Sequence, residues 1–180
     1  MRAISRVLRG FLVVLSFLTR LPVGVEHNIN LVADYCFFFP VVGLFIGFLT
    51  GLFSFCLYLL SIPPLLNGFL TLAFLMVLTG LQHVDGLIDF LEGLLTPGSP
   101  EKKLKVMHDV HVGVYGLAMG VVLLCATACS LALFTGFRAV KVLPVAEATA
   151  KTSILLCALL GKPAETPMAV SYTHLTLPTN

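Results

Sequence analysis

Two long stretches without charged residues constrain this chain more than any other feature. No Asp, Glu, Lys or Arg occurs from Tyr35 to Val84 or from Val110 to Phe137. Each stretch exceeds the roughly 20 apolar residues that a membrane-spanning helix needs. Only 11% of all residues are charged, whereas soluble domains have about 25%. We therefore predict an all-α, polytopic integral membrane protein that forms a helical bundle in the lipid bilayer.

The pattern of apolar residues and helix breakers divides the chain into segments. An N-terminal amphipathic helix is expected over 1–21, where Pro22 and Gly24 end it. Spans are expected at about 35–60, 65–82, 113–137 and 142–160. Within the first span, Gly43, Gly47 and Gly51 recur every four residues, a spacing that lets a second helix approach closely. Ser99 and Pro100 predict the start of a short helix after the second span.

The C-terminal end of the sequence has a different character from the rest. Residues 170–180 break the apolar pattern and resemble the translation of a sequencing-library adaptor, so we expect them to be non-native. The remaining residues, 1–169, are expected to form a single membrane-embedded domain that is incomplete at its C-terminus.

Three carboxylates stand together directly after the first charge-free stretch. Asp85, Asp89 and Glu92 follow one another at i, i+4 and i+7, so a helix would present all three on one face. Acidic side chains beside a bilayer-length apolar segment are costly and mark a functional site by default.

The residue types in this region favour chemistry on phosphates. Carboxylate oxygens suit Mg²⁺, which is usually shared with substrate phosphates, and Asp109 could supply a further ligand. Candidate phosphate-binding cations follow in the sequence at Lys102, Lys103 and Lys105, and Lys151 could add another from the fourth span. Together these residues predict metal-assisted phosphoryl transfer at the cytoplasmic face of the membrane.

Simpler structural roles remain open for several of these residues. The acids could form the solvated face of an amphipathic helix, and the three loop lysines could serve only the excess of positive charge that cytoplasmic loops carry. His83 could be an interfacial histidine or a site residue. Glu147 and Lys151, at i, i+4, are expected to form an internal ion pair first. No basic helix or aromatic stacking pattern indicates nucleic acid as a partner.

The segment from Gly80 to Gly93, with His83-Val84-Asp85-Gly86-Leu87-Ile88-Asp89 at its centre, resembles the signature of the cobalamin synthase (adenosylcobinamide-GDP ribazoletransferase) family. Supporting similarities lie at 17–23, 39–44, 105–113 and 146–151, so the resemblance covers nearly all of residues 8–165 in order. Val84 replaces the usual Leu, Glu92 stands where many members have Asp, and His111 occupies a position often held by Arg. The C-terminal membrane segments of the family have no counterpart.

This resemblance implies the last step of adenosylcobalamin assembly. The substrates would be adenosylcobinamide-GDP and α-ribazole or its 5′-phosphate, and GMP would be released. It further implies a Mg²⁺ ion held by Asp85, Asp89 and Glu92, with Asp109 as a fourth candidate ligand. Asp85, Asp89 and His83 are the candidate catalytic groups. The preferred base and the oligomeric state stay open.

Two other functions also compete. A CDP-alcohol phosphotransferase clusters acids in an Asp-x-x-Asp-Gly-x-x-Ala-Arg pattern, of which this chain has only Asp89-x-x-Glu92-Gly93. An ion-coupled transporter would use Asp85 and Asp89 as cation ligands, but such sites lie near the bilayer midplane and usually accompany internal repeats.

Orientation follows from the basic residues. Arginines precede the first span, and Lys102, Lys103 and Lys105 follow the second, so the N-terminus and the acidic loop are expected in the cytoplasm, with the protein in the inner membrane. Arg138 and Lys141 would then lie on the outer side, against the same rule.

Overall fold

The computed structural model describes residues 2–25, 29–109 and 111–161, with side chains from Arg6 onward. The predicted non-native segment, 170–180, lies outside these residues. The described part contains only helical elements, which are α1 (Arg2–Leu18), α2 (Ile29–Asp34), a 3₁₀ turn (Cys36–Phe38), α3 (Phe39–Leu59), α4 (Pro64–Thr79), α5 (Gln82–Leu95), α6 (Pro100–Met107), α7 (Val114–Ala132) and α8 (Phe137–Leu160). The prediction of an all-α fold is confirmed.

Helices α3 and α8 form the closest contact in the bundle, and they run antiparallel. Gly43 faces the backbone of Glu147, Gly47 faces that of Leu143, and Gly51 faces that of Ala139. Each step of four residues along α3 is matched by four residues in the opposite direction along α8. The predicted close approach at the glycine series is therefore confirmed, with α8 as the partner.

Helix α4 lies between α3 and α7 and makes a different kind of contact with each. Toward α3, the buried Asn67 side chain accepts a hydrogen bond from Ser54 Oγ at 2.7 Å and donates one to the Ser54 carbonyl at 3.0 Å, while Thr71 Oγ1, within α4, donates to the same Asn67 oxygen at 3.1 Å. Such interhelical polar contacts hold helices together where lipid offers no hydrophobic driving force. Toward α7, Gly68 lets the backbones approach at Ala128.

The N-terminal helix packs on the bundle along one face. Val13, Val14 and Leu18 are almost fully buried in a cluster with Val42 and Ile46 of α3. The predicted helix is confirmed, although it ends at Leu18 and not at residue 21.

The helix lengths support a multi-pass membrane protein. Among the described residues, three elements are long and apolar enough to cross a bilayer: Cys36–Leu59, Val114–Ala132 and Phe137–Leu160. The second predicted span does not run straight to residue 82, because α4 ends at Thr79 and α5 departs from it at 98°. Together α4 and α5 meet the composition of a fourth, broken span.

Candidate functional site

The break between α4 and α5 determines where the acidic helix lies. Gly80 and Leu81 both adopt left-handed backbone angles, with φ of 73° and 66°. The Arg20 N–H donates to the Leu78 carbonyl at 2.9 Å, and the Arg20 side chain lies against Gly80, where a Cβ would meet its Nε at 2.6 Å. Gly80 therefore permits both the left-handed turn and the close contact with Arg20. The turn directs α5 sideways across the start of α7.

Helix α5 carries the three predicted carboxylates on one face, but they do not share one environment. The Glu92 carboxylate accepts a hydrogen bond from the backbone N–H of Gly116 and also lies against Gly113. The carboxylates of Asp85 and Asp89 make no hydrogen bond or ion pair with the described residues. Glu92 thus joins α5 to α7, and the two aspartates remain available for a ligand.

The role of the α7 glycines was not predicted from the sequence. A Cβ at Gly116 would lie 2.5 Å from the Ile88 carbonyl oxygen, and one at Gly120 would lie 3.1 Å from the Ile88 side chain. Gly113, Gly116 and Gly120 recur at spacings of three and four, the same signal that marked α3. These glycines bring α5 against α7 and thereby set the position of the acidic face.

Asp109 belongs to the loop after α6 and not to the helix that carries the other acids. It follows α6, and its Oδ1 accepts from the His111 backbone N–H at 3.0 Å and contacts His111 Nδ1 at 2.8 Å. The hydrogen bond from the His111 backbone, followed by that from its side chain, lowers the pKa of Asp109 below its usual value. Asp109 is therefore held as a carboxylate by its own loop.

The donor set on α5 fits Mg²⁺ in one particular way. Within the described residues, no three His, Cys, Asp or Glu side chains converge to hold a metal ion. Mg²⁺ usually keeps several waters and is bound through one or two carboxylates plus substrate phosphates. Asp85 and Asp89 lie on successive turns with unpartnered carboxylates, which matches binding of Mg²⁺ through two carboxylates, waters and phosphate. The described residues do not form a site in which protein side chains supply all the ligands.

The lysines of α6 are partly engaged with the backbone around the α5–α6 turn. Lys102 Nζ donates to the Pro97 carbonyl at 3.1 Å, and Lys103 Nζ donates to the Leu94 carbonyl at 3.2 Å. Lys105 is exposed. The predicted start of α6 is confirmed, since Ser99 Oγ accepts from the Lys102 backbone N–H at 3.4 Å and Pro100 is the first helical residue.

His83 and Lys151 come together at a cavity of about 370 Å³ between α4, α5, α7 and α8. Lys151 Nζ donates to Glu147 Oε2 at 3.0 Å, and only 4% of the lysine side chain is exposed. The predicted internal ion pair is therefore confirmed. His83 precedes Asp85 by two residues, which places the two side chains about 200° apart around α5. The histidine faces this cavity, and the carboxylates lie on another side of the helix.

Known proteins that resemble the chain carry one activity in their names. The adenosylcobinamide-GDP ribazoletransferase of Methanosarcina mazei is 33% identical over an alignment of 165 residues that covers 82% of this chain and 56% of that protein. The enzyme of the same name from Methanocella arvoryzae is 36% identical over an alignment of 168 residues that covers 91% of this chain and 62% of that protein. The chain thus spans about three fifths of the length of these relatives. No solved structure is significantly similar to it.

A protein-family model covers more of the chain than any of these pairwise similarities. The model described as cobalamin-5-phosphate synthase matches residues 10–178. This range includes every described helix from the middle of α1 onward, the acidic face of α5 and the cavity beside it. The chain therefore belongs to the cobalamin-5-phosphate synthase family.

Proposed function

We propose that the protein transfers the adenosylcobinamide phosphate group of adenosylcobinamide-GDP to α-ribazole or α-ribazole 5′-phosphate. A ribose hydroxyl oxygen that is free in both acceptors, and therefore not the 5′ oxygen, forms a bond to the phosphorus nearer cobinamide, and the bond from that phosphorus to the bridging oxygen breaks. GMP leaves with the bridging oxygen, and the hydroxyl proton passes to a base. The observation that carries the proposal is the family match over residues 10–178, which includes the acidic helix.

The two unpartnered aspartates are assigned to the metal. Asp85 and Asp89 would hold Mg²⁺ through one carboxylate each, in the mode that leaves room for phosphate oxygens. When bound, the ion would offset negative charge on the leaving phosphate. Glu92 and Asp109 are the further candidate ligands, each with a carboxylate already bonded to Gly116 or His111.

We assign roles to the remaining polar residues according to whether their side chains already have hydrogen-bond or ion-pair partners. Lys105 is our first candidate for contact with the GDP phosphates, because Lys102 and Lys103 hold backbone carbonyls and Lys151 is paired with Glu147. Asp85, Asp89 and His83 are the candidate acceptors of the hydroxyl proton. We place α5 and α6 at the cytoplasmic face of the inner membrane, where soluble precursors are available.

The test is GMP release by the full-length enzyme in membranes supplied with both substrates. Asp85→Asn and Asp89→Asn remove one negative charge each, and we expect each to lower the rate at least about a hundredfold, the usual scale for losing a group that stabilises developing charge. The matched control is Glu101→Gln, which removes an exposed acid on α6 and should leave the rate unchanged. EDTA should stop release, and added Mg²⁺ should restore it.

Each outcome of this experiment has a defined meaning. A wild-type enzyme that releases no GMP from the two substrates would contradict the proposed function. GMP release at the wild-type rate by Asp85→Asn and Asp89→Asn, with normal membrane insertion, would contradict the metal assignment but leave the reaction standing.

A further inference from the structure

The cavity beside α5 is built differently from the acidic face. Its walls come from four helices and are mostly apolar, with Leu72 and Met76 of α4, Leu87 of α5, Leu124 of α7 and Ile154 of α8 among them. Its volume of about 370 Å³ is at the small end of ligand sites, which typically measure about 300–1,000 Å³. Apolar walls with a few convergent polar groups are typical of small-molecule sites.

The polar groups of the cavity nearly cancel in charge. Lys151 is paired with Glu147 at 3.0 Å, and both side chains are largely buried. A phosphate placed here would have to compete with the Glu147 carboxylate for the ammonium group. An uncharged ligand would not have to compete with Glu147, because the Lys151 ammonium group has three N–H donors and Glu147 Oε2 accepts from only one of them.

We propose that this cavity binds the uncharged heteroaromatic base of the acceptor nucleoside, an inference that rests on the proposed function. The benzimidazole of α-ribazole is an apolar bicycle with one free ring nitrogen, which can accept a hydrogen bond from Lys151 or His83. The apolar side chains that line the cavity can pack against the carbon atoms of this bicycle. The guanine of the other substrate has several donors and acceptors along its edge, and the leucine, methionine and isoleucine side chains would leave most of them unsatisfied, at considerable cost.

The position of the cavity also fits a role for the acceptor. His83 and Val84 both line it, and Asp85 follows them in the first turn of α5, with its carboxylate on another side of the helix. A base held in the cavity would leave its ribose beside this first turn of α5. The cavity would select the base by size, and Leu124, on the wall formed by α7, would be one of the residues that set the limit.

The test compares two neighbouring leucines of α7. Leu124 lines the cavity, and Leu123 is 39% exposed and does not. Leu124→Phe should weaken binding of radiolabelled α-ribazole to the full-length enzyme in membranes at least tenfold, or about 1.4 kcal/mol. Leu123→Phe adds the same ring outside the cavity and should change the affinity for α-ribazole less than twofold. Binding is measured without adenosylcobinamide-GDP, so the result does not depend on turnover.

A second variant separates a filled cavity from a misfolded protein. Leu124→Ala enlarges the site and should raise the affinity for a nucleoside with a bulkier, naphthimidazole base relative to α-ribazole, a gain that misfolding cannot produce. The proposal is overturned if the wild type does not bind α-ribazole, if both phenylalanine variants lose binding equally or not at all, if Leu124→Ala leaves base preference unchanged, or if guanosine displaces α-ribazole. GMP release by the wild type, measured separately, shows whether the proposed function holds in any of these cases.

Discussion

Gly47 is a residue at which one added carbon atom should have a large effect on the bundle. A Cβ there would overlap the backbone at Leu143 and Pro144, and backbone atoms cannot rotate away as a side chain can. The two helices would have to separate, with loss of the packing on which membrane helix association depends. The sequence spacing predicted this role, although it could not identify α8 as the partner.

A pair of Gly→Ala substitutions tests this contact. Gly47→Ala should lower the thermal unfolding temperature of the detergent-purified protein and favour α3–α8 separation. Gly86→Ala is the matched control, because nothing lies within 4 Å of a Cβ at that position. In a helix interior the control change should be neutral or stabilise by up to about 1 kcal/mol. Equal melting temperatures for the two variants would contradict the packing of α3 against α8.

Single and double replacements should show whether Glu147 and Lys151 stabilise the protein as an interacting ion pair. Glu147→Leu leaves a buried ammonium group without its partner, and breaking a buried pair in this way typically costs about 3–5 kcal/mol. Lys151→Met alone should be destabilising for the same reason. The double variant Glu147→Leu/Lys151→Met removes both charges and should recover most of the lost thermal stability. A double variant as unstable as the sum of the two singles would mean that the side chains act independently.

At the scale of elements, the α4–α5 junction shows where the sequence was informative and where it was not. The i, i+4, i+7 pattern predicted the acidic helix, and α5 follows it from Gln82 to Leu95. The 98° bend was missed because it depends on Leu81 adopting a left-handed angle that non-glycine residues rarely take. Contacts from Arg20, which follows α1 and is distant in sequence, accompany that turn, and no local sequence pattern contains them.

The same limit explains how the site residues are distributed. Sequence spacing placed Asp85, Asp89 and Glu92 on one face, since helix geometry alone fixes that relation. It could not separate the two unpartnered aspartates from Glu92, because the hydrogen bond to Gly116 spans 24 residues. Sequence spacing also could not predict that His83 and the Glu147–Lys151 pair line the same cavity, because this proximity depends on how α5 crosses the bundle. Helix α8 begins at Phe137, about five residues before its predicted start, so Arg138 and Lys141 are helical.

At the scale of the whole molecule, basic residues lie at both ends of the bundle. Gly136 packs beside Tyr58, and Ala139 faces Gly51, so the start of α8 lies at the end where α3 turns into α4. Helix α4 runs away from that end, and α5 and α6 therefore lie at the other. Arg138 and Lys141 mark the first end, whereas Lys102, Lys103, Lys105 and Arg20 mark the second. The excess of basic residues beside α5 and α6 favours that end as cytoplasmic.

Labelling with a membrane-impermeant maleimide decides the orientation. In a background with all five native cysteines replaced by alanine, Lys141→Cys should react in intact right-side-out vesicles, because its end of the bundle is expected to face outward. Lys105→Cys should react only after the vesicles are permeabilised. Both positions are exposed, so a difference in reactivity reports the side of the membrane and not burial. The opposite pattern would place the acidic helix outside, away from cytoplasmic nucleotides, and would contradict the orientation on which the proposed reaction depends.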